Sequence, residues 1–83
     1  MRKKRLTQKD VGKVVLYHYS DSECQYELII WVSEDAYVYR RWNGQEGFGG
    51  EHQFNNRSSR PAFEEVNKLT QYILFGKVYD GES

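Results

Sequence analysis

Apolar and polar residues alternate along three stretches in the first half of the chain, and this period of two residues is typical of β-strands. The stretches are residues 13–19, residues 26–33 and residues 37–42. Both faces of each stretch carry apolar side chains, as expected for strands of a small barrel whose outer face is partly covered. The short polar connection at residues 34–36 predicts a hairpin between the second strand and the third.

Glycine dominates the segment that follows. Asn43-Gly44 is a strong turn signal, and residues 44–50 contain four of the seven glycines. A phosphate-binding loop would need a glycine motif between a strand and a helix, and here the glycines lead to Glu51. We therefore expect a flexible hairpin loop that carries Phe48 at its tip, followed by a fourth strand at residues 51–54.

The last third of the chain fits both a helix and a strand. Ser59 and Pro61 suit a helix start, and an apolar stripe of Phe63, Val66, Leu69 and Ile73 continues at helical spacing. Residues 72–79, however, are also rich in strand-forming types. The pattern predicts a short helix at residues 61–69 and a terminal strand at residues 71–79, so the fold is a mainly β, small antiparallel barrel of about five strands.

The size and composition point to one small domain. The chain has 83 residues and 13 aromatic side chains, which are enough to build a core in a domain of this size. Cys24 is the single cysteine, so no disulfide forms within the chain. No apolar run reaches the length of a secretory signal or of a membrane span. We expect a cytoplasmic protein that binds no membrane.

The net charge of zero hides an uneven distribution. Residues 1–13 carry a net charge of +5, and the remainder carries −5. We predict a flexible basic tail at residues 1–9 and a single barrel domain at residues 10–80. A tail of this kind can contact phosphates, which gives a nucleic-acid-binding alternative that uses Arg2, Lys3, Lys4 and Arg5.

The sequence gives little support for a metal or for catalysis. His18, Cys24 and His52 are the only imidazole and thiol groups, and no pair of them has the spacing of a zinc site. No base and nucleophile are paired, and Glu64-Glu65 is explained by the electrostatics of a helix start. We expect no metal, no cofactor and no enzymatic activity.

The third predicted strand gives the best candidate for a binding surface. Tyr37, Tyr39 and Arg41 share one face, while Val38, Arg40 and Trp42 share the other. Arginine beside tyrosine or tryptophan is typical of protein interfaces, although the same mixture could stack on single-stranded bases, or the aromatic rings could simply be core. The predicted contact residues for a partner are Arg40, Arg41, Trp42, Phe48 and Tyr39.

Three short motifs resemble the small SH3-like β-barrel proteins that tailed phages and prophages encode. Residues 10–17 (DVGKVVLY) resemble the opening D-V-G-K-x-V-x-Y of that group, and residues 37–42 (YVYRRW) resemble its middle strand, Y-V-F-V-R-Y. Residues 60–66 resemble its R-P-E-D-L segment with two extra residues. Arg40 stands where the group has an apolar residue, and the chain from Lys68 onward lies outside the match.

The resemblance implies a strongly bent antiparallel sheet and no particular reaction. Together with the absence of catalytic motifs, it predicts a non-catalytic binding module, an accessory protein of a phage or prophage that binds and modulates a host or phage protein. Nucleic-acid binding through the basic tail and the Tyr/Arg strand face is the alternative. Because an edge strand can pair with a copy of itself, we expect a monomer or a weak homodimer.

Overall fold

A computed structural model describes residues 2–81 and shows six strands and one helix. The strands are β1 (Arg2–Lys3), β2 (Val14–His18), β3 (Cys24–Val32), β4 (Ala36–Trp42), β5 (Phe48–Asn55) and β6 (Phe63–Glu65), and the helix is α1 (Lys68–Phe75). Short 3₁₀ turns lie at Gln8–Asp10 and Gly44–Glu46.

All six strands form one antiparallel sheet in the order β1-β6-β2-β3-β4-β5. Strands β2 to β5 follow one another as hairpins, and β6 returns to the far side of β2. Two β-bulges interrupt the register: Ile30 is the extra residue on β3 in its pairing with β4, and Gly50 is the extra residue on β5 in its pairing with β4. Such bulges bend a strand, and here the two lie on strands that wrap the core.

The sheet bends around a core made of one inward face. The core contains Leu6, Val15, Ile29, Val32, Tyr37 and Phe63. Ring contacts cross it: Tyr37 of β4 lies 5.5 Å from Phe63 of β6, and Tyr17 of β2 lies 6.1 Å from Phe54 of β5, measured between ring centroids. The two halves of the sheet therefore face each other, although the ladder between β1 and β5 is open.

A buried asparagine bridges the open side of the sheet. Asn56, just after β5, is fully buried, and its side chain accepts a hydrogen bond from the Leu6 amide at 2.8 Å. Its amide nitrogen donates to the carbonyl oxygens of Leu6 at 3.0 Å and of Ser33 at 2.8 Å. Three side-chain hydrogen bonds thus join the N-terminal segment to the β3–β4 turn and the end of β5.

The prediction of a mainly β chain with a short helix near the C-terminus is confirmed. The three alternating stretches coincide with β2, β3 and β4, and the fourth strand is longer than predicted because β5 begins at Phe48. Among residues 2–81, no helix is long and apolar enough to cross a membrane.

The predicted helix at residues 61–69 and strand at residues 71–79 are wrong. Phe63–Glu65 forms β6, in which Phe63 pairs with Tyr17 and enters the core. The helix begins after Asn67, whose side chain caps it by accepting from the Thr70 amide at 2.8 Å, and ends at Gly76 with a φ of 78°. The Asn67 cap and the left-handed Gly76 mark the two ends of the helix. The apolar stripe that starts at Phe63 does not mark them.

The predicted flexible tail at residues 1–9 lies within the fold from residue 2 onward, and Met1 lies outside the described residues. Arg2 and Lys3 pair with β6, and Leu6 is 1% exposed in the core. The physical reason is local: Leu6 is apolar, and Thr7 with Asp10 forms a capping box that orders the turn after it.

Candidate functional site

The structure divides the predicted contact residues between two faces of β4. Tyr39 and Arg41 lie on the inner face with Tyr37, whose ring centroid is 5.3 Å from that of Tyr39. Arg40 and Trp42 lie on the outer face, where Arg40 forms an ion pair with Glu51 at 2.9 Å. A partner that approaches one face therefore meets only part of the predicted set.

The outer face carries an aromatic cluster that seats helix α1. Trp42, Phe48 and Phe75 form a triangle with centroid distances of 4.7, 4.9 and 5.0 Å. Tyr26 and Tyr79 contact its edge at 5.3 and 5.4 Å. The rings from β3, β4 and β5 thus hold the last residue of the helix.

Phe48 is half-buried in this cluster, whereas the sequence predicts it at the tip of a flexible loop. Gly47 has a φ of 78° and Gly50 a φ of 67°. Gly47 lets the chain turn back after the 3₁₀ turn, so that β5 starts at Phe48, opposite Trp42, and Gly50 forms the bulge two residues later. The glycine pattern predicts a mobile loop, whereas in the structure the glycines form a tight turn and a bulge.

A glutamine holds the first turns of α1 against the domain. Gln71 is 5% exposed, and its amide nitrogen donates to the Val66 carbonyl at 2.9 Å. Its side-chain oxygen accepts from the Tyr79 amide at 2.8 Å. Gln71 therefore joins the connection before the helix to the segment after it, and with Phe75 it fixes which side of α1 faces the sheet.

The opposite side of α1 is an exposed apolar stripe. Leu69, Tyr72 and Ile73 are 69%, 64% and 70% exposed. Their spacing of three and four residues places them on one side of a helix. Large apolar side chains exposed together on one element mark an interaction site more often than isolated ones do. We call these three residues the helix stripe.

Positive charges flank the helix stripe. Lys68 opens α1 and Lys77 follows it, and both side chains are exposed, with the Lys77 ammonium 4.8 Å from the Tyr79 ring centroid. Residues 67–79 contain no acidic side chain. The surface presented by α1 is therefore apolar in the middle and basic at both ends.

The inner face contains a buried carboxyl group. Glu27 is completely buried and accepts hydrogen bonds from the Tyr37 hydroxyl at 2.7 Å and from the Gln25 amide at 2.6 Å. Burial raises the pKa of Glu27 to about 7, although both hydrogen bonds and the charge of Arg41 lower it. Burial and the nearby Glu27 raise the pKa of the Tyr37 hydroxyl, so that it remains a donor.

A carboxyl group with a pKa near 7 is the right chemistry for a general acid or base, but its surroundings oppose that role. A catalytic group must reach the substrate within hydrogen-bond distance. Glu27 is 0% exposed, and its oxygens are already occupied by Tyr37 and Gln25. The arrangement is that of a satisfied core carboxyl.

Aromatic rings also rim the inner face. Tyr19 and Phe54 are 51% and 48% exposed, and both contact Tyr17, at centroid distances of 6.2 and 6.1 Å. Tyr39 and His52 lie beside one another at 5.5 Å. This rim is a second, smaller aromatic surface on the face opposite α1.

The potential metal ligands do not converge. His18 and Cys24 are cross-strand partners on β2 and β3, while His52 lies on β5. The His18 ring donates to Glu64 at 2.7 Å, which lowers the pKa of that carboxyl group. Within residues 2–81, no group of three His, Cys, Asp or Glu side chains is placed to hold a metal ion.

Two of the four basic residues proposed for nucleic-acid binding form ion pairs within the fold. Arg2 lies 3.8 Å from Glu64, and Lys3 lies 2.7 Å from Asp10, whose side chain is 2% exposed. Lys4 and Arg5 are exposed. The pairing neutralises part of the charge that the tail was expected to offer to phosphates.

A groove of about 480 Å³ lies between β2, β6 and α1. Its floor includes Val14 and Val15, and its rim carries Lys13 and Lys68 together with Glu65 and Asp80. Because the rim mixes both signs of charge, it does not favour an ionic ligand of either sign.

Comparison with protein-family models, with curated proteins and with solved structures gave no significant match.

Sequence reasoning missed the helix stripe, Glu27 and Asn56. It placed Leu69 at the end of a helix that began seven residues too early and Ile73 in a terminal strand. One signal was available for Glu27, because a single acid occupies an inward position of a strand that is otherwise apolar from Tyr26 to Val32. Asn56 lies in a polar run, and nothing in its neighbours distinguishes it from a loop residue.

Proposed function

We propose that this chain is a non-catalytic protein-binding module that inserts the helix stripe into an apolar groove with an acidic rim on a partner protein. The observation that carries the proposal is the exposure of Leu69, Tyr72 and Ile73, each above 60%, on a helix whose other side is fixed to the sheet. Helix-in-groove recognition uses anchors at this spacing.

Charge supports an acidic rim on the partner. Lys68 and Lys77 flank the stripe, and residues 67–79 carry no acidic side chain. Complementary charges at the edge of an interface chiefly increase the association rate and select the partner. The apolar stripe supplies the buried contact, and the lysines set its orientation.

Within this proposal, the contact residues predicted from the sequence have two roles. Trp42 and Phe48 seat Phe75 and so position α1, while Arg40 is held by its ion pair with Glu51 on the same face. Tyr39 and Arg41 face the other side of β4 and stay candidates for a second contact there.

For the fold, the finer proposal is a small SH3-like barrel. Four consecutive hairpin-related strands, two bulges and ring contacts between opposite halves of the sheet support it. The motifs shared with phage-encoded barrels support an accessory protein of a phage or prophage that modulates a host or phage protein. A lone cysteine favours the cytoplasm.

The helix stripe gives a direct test by affinity purification from lysate treated with nuclease. A double variant, Leu69→Ser with Ile73→Ser, should weaken capture of a stoichiometric protein partner by at least about 30-fold, since a single central interface residue already contributes about 2 kcal/mol. Both side chains are already exposed, so circular dichroism should show an unchanged fold.

Tyr19→Ser is the matched control because it removes an exposed apolar side chain from the opposite face. Capture should persist in this variant. If the double variant retained the partner while Tyr19→Ser lost it, the binding surface would be the inner rim, and the assignment to α1 would be wrong.

Nucleic-acid binding is the second candidate, and the stack of Tyr17 on Tyr19 beside the exposed Phe54 is the observation in its favour. The double variant Lys4→Glu with Arg5→Glu reverses the charge of two basic side chains. It leaves the ion pairs of Arg2 and Lys3 intact. If the chain binds single-stranded nucleic acid, these changes should make the plot of log affinity against log salt concentration less steep. The change in slope should equal the contribution of about two phosphate contacts. Binding that is undetectable in 50 mM salt, or independent of salt, would end this candidate.

A further inference from the structure

The two edges of the sheet differ sharply. One edge is β1, which has two residues, both basic and both in ion pairs. The other is β5, which has eight residues, seven of them exposed. Among residues 2–81, no backbone hydrogen bond joins β5 to anything other than β4 along its regular length. Half of its amide and carbonyl groups therefore point away from the sheet.

The β5 edge lacks the usual features that prevent edge-to-edge pairing. Natural edges are protected by lysine, proline, short length or inward-pointing charges. The only charged residue of β5 is Glu51, and its carboxylate is held at 2.9 Å by Arg40 of the neighbouring strand. The bulge at Gly50 disturbs only the start of the strand and leaves residues 51–55 regular.

We propose that β5 pairs antiparallel with β5 of a second copy of this chain, so that two sheets join into one across a twofold axis near Gln53. In this register Gln53 lies opposite the partner's Gln53, His52 opposite the partner's Phe54, and Glu51 opposite the partner's Asn55. The sequence of β5 is self-complementary in this arrangement, because the His52 ring lies opposite the Phe54 ring of the second copy and the two Gln53 amides lie opposite each other.

Charge and geometry favour a closed dimer. The two Glu51 residues would lie about 14 Å apart along the joined strands, at 3.4 Å per residue. The pairing uses the same edge in both copies, and the remaining edges are the short basic β1 strands, so no further copy can add. The dimer also buries part of Phe54, which is 48% exposed in the single chain.

Sedimentation analysis of the full chain up to about 1 mM tests this proposal, because even a weak dimer is populated at that concentration. We expect a reversible monomer–dimer equilibrium with no larger species. Gln53→Lys places like charges opposite each other and should raise the dimer dissociation constant about tenfold or more. Gln45→Lys, the same change at an exposed position outside the sheet, should leave it unchanged.

Mixing Gln53→Lys with Gln53→Glu should restore a dimer that contains one copy of each, which tests the register. The proposal is overturned by a chain that is monomeric throughout, by larger species, or by a dimer indifferent to Gln53→Lys. It is also overturned by a dimer that Leu69→Ser with Ile73→Ser abolishes, because the contact would then be made by α1. The outcome is independent of the proposed function, which uses a different surface.

Discussion

Asn56→Ala is expected to lower the free energy of unfolding by about 3 kcal/mol, because it removes hydrogen bonds from two buried backbone groups and one part-buried group. Those groups are the amide and carbonyl of Leu6 and the carbonyl of Ser33. An unsatisfied buried polar group costs about 1–3 kcal/mol, and partial access of water reduces the sum. For a domain of this size the midpoint of thermal unfolding should fall by about 15 °C.

Two variants separate the hydrogen bonds from other causes. Asn55→Ala removes the same side chain from the exposed neighbouring position and should change stability by no more than about 0.5 kcal/mol. Asn56→Asp keeps the shape but loses the two donors, so at neutral pH it should destabilise at least as much as Asn56→Ala. If Asn56→Asp were as stable as the original chain, packing would explain the effect and the hydrogen bonds would not.

Glu27→Gln is expected to stabilise the protein by about 3 kcal/mol at pH 8 and to have little effect near pH 4. A pKa of about 7 in the folded chain, against the ordinary 4.5, means that folding retains a proton that the unfolded chain releases. The rise of the pKa from 4.5 to about 7 corresponds to about 3 kcal/mol. Removing the charge removes this cost, and a glutamine at this position keeps a partner for Tyr37 and Gln25.

The direction of the pH dependence follows from proton counts. Between pH 4.5 and pH 7 the folded chain binds more protons at Glu27 than the unfolded chain does, so this group's contribution to stability is fully present below pH 4.5 and is lost as the pH rises through 7. Urea unfolding of the original chain and of Glu27→Gln at several pH values measures this contribution to the free energy of unfolding.

Glu23→Gln is the control for this prediction, because Glu23 is an exposed acid in the turn before β3. It should shift the pH profile by only a few tenths of a kcal/mol. The free energy of unfolding of Glu27→Gln could instead differ from that of the original chain by the same amount at pH 4 and pH 8. In that case the buried carboxyl group would not titrate in this range.

The strands of the fold could be predicted from the sequence because alternation is a local signal. Residues 13–19, 26–33 and 37–42 each show it, and each is a strand. The C-terminal third could not be predicted in the same way. An apolar residue at Phe63 fits the start of a helical stripe as well as a core position of β6. Only the pairing of Phe63 with Tyr17, which is a tertiary contact, distinguishes the two.

The candidate site was harder to predict than the fold. Aromatic and arginine residues of β4 were recognisable as a group, but their neighbours were not. The contact of Trp42 and Phe48 with Phe75 joins positions far apart in the chain. The exposure of Leu69, Tyr72 and Ile73 depends on which side of α1 Gln71 holds to the sheet, and that is a tertiary property.

The hydrogen bonds of Asn56 also constrain the order in which a ribosome-bound chain can fold. They join Leu6 to a residue 50 positions later, and β1 pairs with β6 at a still greater separation. The β2–β3–β4 hairpins need only local contacts and can form while the chain is still emerging. Leu6, by contrast, has no complete site until residues 56–65 have left the exit tunnel. Its side chain therefore stays exposed until β6 has emerged, and the segment around Leu6 is the last part of this core to close.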